Sequence, residues 1–416
     1  MATSSFGAVC SAIASLVECL GLNKHHSHTE VSRRLASLWF SYSIQPLNWE
    51  LPPVWDAIAG DYQTKDGWIS CTQTSLITAM LPWQCLMWVW IGKRFRKLLC
   101  CGEKNELEES IVQAGGVAAA MKTHREWSMH PQGKAIALEP LIHWGESKQL
   151  TIRDWQGTQK RPLAGLKVLD LTRVLAGPVA TRTLAGFGAS VLRIDPPGWE
   201  EPYVVPDVTL GKRCARLDLT RQNERNIFEH LLMKADILIH GYRPEALQQL
   251  GYSQSNRQKI SPALIEISLN AYGWMGPWSH RRGFDSIVQM SSGIADAAMR
   301  WAKSRPLLLP IQALDHATGY LMAAAAIRAI TKAIAGKGCA HARLSLARTA
   351  ELLISHSQQK NNSTSIKMKP SDFLHNIEQT PWEMENRLIP AVKIANTPME
   401  WNSASCELSS AEPVWV

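Results

Sequence analysis

The chain predicts an α/β protein, an open parallel sheet with flanking helices, joined to a smaller, partly degenerate α+β lobe. Three observations carry that expectation. Short apolar runs at Val168–Leu171, Val191–Ile194 and Asp236–His240 have the composition of strands buried on both faces. The first two are joined by a turn and one helix, the spacing of a right-handed crossover between parallel strands. With 416 residues, the chain is long enough for two or three domains and a sizeable core.

In chain order, the first twenty residues carry Ala8, Val9, Ile13, Leu16 and Val17 at helical spacing and read as an amphipathic helix capped by Ser4 or Ser5. They lack the basic start and cleavage site of a signal peptide, and a cytoplasmic location is the expectation. His25, His26 and His28 have only Glu30 as a nearby carboxylate and no cysteine at ligand spacing, so they read as a polar loop and no metal is expected. Residues 69–92 carry no charge and run into Lys93-Arg94-Phe95-Arg96-Lys97. A membrane span is argued against by Ser70, Thr72, Gln73, Thr74, Ser75, Thr78 and Gln84 in the first half, and by Pro82. From Glu106, the residues Leu107, Ile111 and Val112 start a helix, Gly115-Gly116 stops it, and Val117–Met121 is an apolar run. Residues 146–161 are polar and aperiodic, as a linker would be.

The stretch from Leu163 to Pro197 organises the rest. Thr172–Gly177 supplies a turn after the first strand, and Pro178 sits where a first helical position tolerates proline. Val179, Thr183, Leu184 and Phe187 form one stripe, and Gly188 ends the helix. A Rossmann-like unit results, but Ala176-Gly177-Pro178 stands where a dinucleotide site needs a glycine-rich turn, which argues against NAD. Further on, Lys212 and Arg213 precede Leu217-Asp218-Leu219; two cations there suit a phosphate or, equally, a salt-bridged strand edge. Gly241, Tyr242 and Arg243 follow the Asp236–His240 strand at its carboxyl end, where ligands of open α/β sheets settle. Asp315 precedes a helix of small residues, Ala317 to Ala326, in the position of an N-cap whose dipole would favour the charged carboxylate.

Composition narrows the partners. The net charge of +8 suits an anionic ligand or a solvated surface, and no basic stripe with interleaved aromatics supports nucleic-acid binding. Nine cysteines show no CxxC pair and no metal-ligand rhythm, as expected for reduced thiols inside a cell.

Beyond these readings, GLKVLDLTRVLAGP and LAGFGASVLRIDPP resemble the opening of the family III CoA-transferases (CaiB/BaiF family), which include formyl-CoA transferases and α-methylacyl-CoA racemases. The resemblance continues through GKRCARLDL, ADILIHGYRPEALQQLG, SPALIEISLNAYGWMGPW, RGFDSIVQMSSG, LDHATGYLMAAAAIRAI and GKGCAHARLSLARTAELL. It implies coenzyme A as carrier substrate, an acyl-CoA donor, a carboxylic acid acceptor and a homodimer. It puts Asp315 on the catalytic aspartate, working as a nucleophile through a covalent aspartyl intermediate. It puts Leu175, Ala176, Lys212, Arg213, Gly241, Tyr242, Arg243 and Asp285 among the residues that hold CoA. Gln249 stands where relatives often carry arginine, and the glycine-rich loop flanking a transferase site is not identifiable. Racemisation is the alternative; it needs an acid and a base, but Phe284 occupies the histidine position and His316 beside Asp315 should point elsewhere. A non-catalytic CoA-binding remnant is the third reading, because fewer than ninety residues follow the Asp315 helix.

The expected division is 1–105, poorly defined; 106–160, small-domain-like segment and linker; 161–353, the Rossmann-like core; and 354–416, a shortened closing segment. Residues 121–142 resemble small-domain sequence placed upstream of the core, which predicts that Trp127 is buried against it.

Overall fold

A computed structural model describes residues 1–23, 28–53, 59–72, 99–146, 150, 155–356 and 366–416. His25, His26 and most of the 69–92 segment lie outside the described residues.

The apolar runs form a seven-stranded sheet. Six strands are parallel, in spatial order His341–Ser345, Ile265–Asn270, Ile237–His240, Lys167–Leu171, Ser190–Asp195, Lys212–Arg216. His143–Trp144 adds an antiparallel edge beside His341–Ser345. Counted along the chain, the parallel strands lie in the order 6-5-4-1-2-3, the doubly wound arrangement. The order reverses between Lys167–Leu171 and Ile237–His240, and in open α/β sheets the ligand crevice lies outside the carboxyl ends of the strands at such a reversal.

Two helices stack on this sheet because their facing residues are small. Every residue of Ala176–Gly186 is buried, and it packs beneath the long Ala313–Ile334 helix. At their crossing, a Cβ on Gly319 would lie 2.4 Å from the Ala176 carbonyl oxygen, so only glycine allows this approach. The run Ala323–Ala326 lets the Ala2–Cys19 helix lie close on the far side, with the Phe6 and Tyr320 rings 3.9 Å apart.

That first helix begins earlier than expected. Met1 is its N-cap, and the Ser5 hydroxyl donates back to the Met1 and Ala2 carbonyls from within the first turn. It is the one described helix long and apolar enough to cross a membrane, and its apolar face is buried in the main core. Two strands of the 1–105 stretch pair with distant chain: Thr29–Val31 with Val392–Ile394, and Ile44–Pro46 with Glu383–Leu388. A buried ionic group ties these ends to the core. Arg182 reaches Asp207 at 2.7 Å, Asp207 accepts from the Ser43 amide at 3.0 Å, and Arg387 donates to the Ser43 hydroxyl at 2.8 Å.

A second antiparallel sheet, Gly60–Gln63, Trp68–Thr72 and Val117–Ala120, carries the Lys104–Gln113 helix. Thr123 and Glu126 close a capping box on the short helix that follows. Trp127 is 1% exposed, within ring-contact distance of Tyr272 and Trp278, so the 121–142 stretch packs on the helices of the core.

Candidate active site

The crevice at the strand-order reversal is built from two turns. After the first strand, Thr172–Leu175 climbs to the Ala176–Gly186 helix through Val174, whose φ of 64° is left-handed. A β-branched residue holds that conformation only where its surroundings enforce it; here the Val174 amide donates to Glu201 Oε1 at 2.6 Å. Leu175 and Ala176 are buried at the head of the helix, facing the Ala313–Ile334 helix through Gly319. After the fourth strand, Gly241 is exposed and a side chain there would meet nothing within 4 Å.

Aromatic and cationic groups bridge the two turns. Arg173 donates to the Tyr242 hydroxyl at 2.5 Å, and its guanidinium lies 4.4 Å from the Trp199 ring centroid and 5.0 Å from that of Tyr242. Arg243, exposed at the start of the Pro244–Gln249 helix, adjoins Arg282. Burial, and then the Arg243 charge, lower the Arg282 pKa. Arg282 donates to the Gly115 carbonyl at 3.4 Å, the one hydrogen bond it makes among the described residues.

Lys212 and Arg213 do not join them. Alternation along Lys212–Arg216 turns Lys212 inward, where its ammonium donates to Asp170 Oδ2 and the Pro178 carbonyl, both at 3.0 Å. Its side chain has no exposure, so it is a buried ion pair rather than a phosphate ligand. Arg213 turns outward and clasps the carbonyls of Val414 and Glu412. The expectation of two phosphate-binding cations here is therefore corrected: both are used internally.

Asp315 lies at the head of the long helix, four residues and one turn before Gly319, hence above the Leu175–Ala176 turn. It is not the N-cap. Gln312 holds that position, and Asp315 is the third residue of the helix. Capping is done from 30 residues upstream: Asp285 Oδ2 accepts from the Leu314 amide at 2.8 Å and the Asp315 amide at 3.0 Å. Both oxygens of Asp285 are thus committed to the protein's own donors.

The electrostatics run opposite to the helix-dipole expectation. Burial, and then the Asp285 charge, raise the Asp315 carboxyl well above the usual carboxylate range. Asp285 is pushed up to about 6 by burial, while hydrogen bonds from Asp315, Gln289 and Leu314 oppose the rise. His316 points elsewhere, as expected: it stacks on Phe40 at 5.3 Å, and burial, followed by the Arg182 charge, lowers its pKa to about 3.

Arg173, Trp199 and Arg282 were not singled out in the sequence. They come from three separate loops, and no spacing rule links them; Trp199, two residues beyond Pro196-Pro197 and the second strand, was the one local signal.

Known proteins resemble this chain over part of its length. A family model described as CoA-transferase family III matches residues 163–379, just over half of the chain. An acetyl-coenzyme A transferase of Hypoxylon pulicicidum is 35% identical over 179 residues, covering 42% of this chain and 30% of that protein. An acetyl-CoA:oxalate CoA-transferase of Acetobacter aceti is 38% identical over 147 residues, covering 32% and 38%. The crystal structure of a hypothetical protein from Mycobacterium tuberculosis aligns with 29% identity and a TM-score of 0.44 over 46% of this chain and 57% of that one. This chain spans less than half the length of these two curated relatives.

Proposed function

The chain belongs to CoA-transferase family III, and from that premise we propose that it transfers coenzyme A from an acyl-CoA thioester to a carboxylic acid through Asp315. The observation that carries the reading is the placement of a buried, charge-crowded carboxyl above the turn that heads the ligand crevice. The ionised Asp315 attacks the thioester carbonyl; the C–S bond breaks and CoA leaves as the thiolate. The thiolate then attacks the aspartyl carbonyl of the mixed anhydride, releasing the donor acid and leaving an aspartyl-CoA thioester. The acceptor carboxylate attacks that thioester, and the returning thiolate takes the acceptor acyl group, regenerating Asp315. Arg243, Arg282 and the stacked Arg173 suit the phosphates and adenine ring of the nucleotide part.

Racemisation lacks support in the geometry, since His316 is stacked away from Asp315 and Phe284 carries no proton. The test is hydroxylamine trapping during turnover with acetyl-CoA and oxalate or succinate, followed by peptide mapping. A hydroxamate on Asp315, and a loss of about 10³-fold or more in exchange for Asp315→Ala, are expected. An Asp315→Ala variant exchanging CoA at the wild-type rate would overturn the assignment.

A further inference from the structure

Three donors converge on Asp285. Oδ2 accepts from the Leu314 and Asp315 amides, and Oδ1 accepts from the Gln289 side-chain amide. Gln289 cannot turn round to offer its oxygen, because its Oε1 already accepts from the Leu309 amide at 2.8 Å. Both Asp285 oxygens are therefore held as acceptors, the arrangement that favours an ionised carboxylate. At 2% exposure that charge is little screened, and it touches the backbone of Asp315 itself.

We infer that Asp285 is a positioning residue: its carboxylate fixes the first turn of the Ala313–Ile334 helix and, as the ionised partner, keeps the proton on Asp315 in the ligand-free protein. The inference rests on the reading of Asp315 as nucleophile only for its consequence, that Asp315 must lose this proton before it attacks.

Charges on the packed elements do not offset the pair. Arg182, on the neighbouring helix, is engaged by Asp207. Lys122, beyond the Val117–Ala120 strand, pairs with Glu108, and Glu126 caps its own helix. On Leu346–Ser355, Arg348 donates to the Glu139 carbonyl, and Glu351 lies at that helix's partly exposed end. Asp296 pairs with Arg300, and Glu266, on the adjacent strand, is held by Arg257 and His240. On the Asp315 helix itself, Tyr320 is kept protonated by burial and His316 is kept neutral.

The test reads Asp315 protonation without using turnover. A hydrophobic carbodiimide adds to a protonated carboxyl, so labelling of Asp315 in the full chain is followed against pH by peptide mass spectrometry. In the wild type the midpoint should lie well above the ordinary carboxylate range. In Asp285→Asn it should fall by about one pH unit or more, a roughly tenfold loss of label at fixed pH, and Asp285→Ala should do the same. An unmoved midpoint in either folded variant overturns the inference. A wild-type midpoint in the ordinary range overturns it even if both variants fail to fold. If the wild type shows the shifted midpoint but exchanges no CoA, the transferase reading falls and this inference stands.

Discussion

Asp170 and Asp315 are two buried aspartates of one core, and they differ in company rather than in depth. Asp170, on the first parallel strand, accepts from the Lys212 ammonium, the Thr172 amide and the hydroxyls of Thr172 and Thr181. Burial alone would raise its pKa, but the Lys212 charge, with Arg193 and these hydroxyls, holds it below the usual range. Asp315 has the same enclosure and faces another carboxylate instead, so its pKa rises. An opposite charge makes a buried aspartate part of the scaffold; a like charge leaves it poised to react.

The largest expected effect breaks the scaffold side of that comparison. Lys212→Met leaves the Asp170 charge buried without its cation, and Asp170→Asn strands the ammonium. Each should destabilise the fold by about 3–5 kcal/mol, as breaking one partner of a buried pair does. The double variant should lose much less than the sum. Urea unfolding of the three variants measures this, and additive losses would show that the two groups are not a pair. CoA affinity separates this lysine from the crevice. Arg243→Ala should weaken CoA binding about tenfold, for the loss of about 1.5–3 kcal/mol of charge-assisted phosphate contact. Its stability should stay within about 0.5 kcal/mol of wild type, as for other exposed sites. Calorimetry showing unchanged CoA affinity would remove Arg243 from the site.

The same contrast explains what could be read from the residues. Short apolar runs announce the parallel sheet, and the turns at Leu175 and Gly241 follow from it, whereas the helix expected to start at Pro178 starts at Ala176. Strand alternation also separates Lys212 from Arg213, but it does not say which residue turns inward. That depends on Asp170 and the Pro178 carbonyl, 42 and 34 residues away in sequence. The cap on the Asp315 helix was misread for the same reason. A local rule puts Asp315 at the N-cap, whereas a carboxylate 30 residues upstream satisfies the free amides. Where a side chain is matched to a distant group, sequence shows the residue type and structure shows its role.

The smallest expected effect tests the reactive side and turns on the sign of a pH dependence. Asp170 has a depressed folded pKa, so its contribution is full above the ordinary carboxylate range and is lost as pH falls through the folded value. Asp315 is raised, so the folded protein holds a proton that the unfolded chain releases. Stability from this group is full at acid pH and is lost as pH rises from the ordinary carboxylate range towards the folded pKa. Asp315→Asn removes that loss while keeping the shape of the side chain. The variant should match wild type at about pH 4 and exceed it by about 1 kcal/mol near pH 8, the order gained when a charge kept for function is removed. Urea midpoints at the two pH values decide the matter. A variant equally destabilised at both would mean that Asp315 is held by favourable contacts like those of Asp170, and the distinction between a scaffold aspartate and a reactive one would fail.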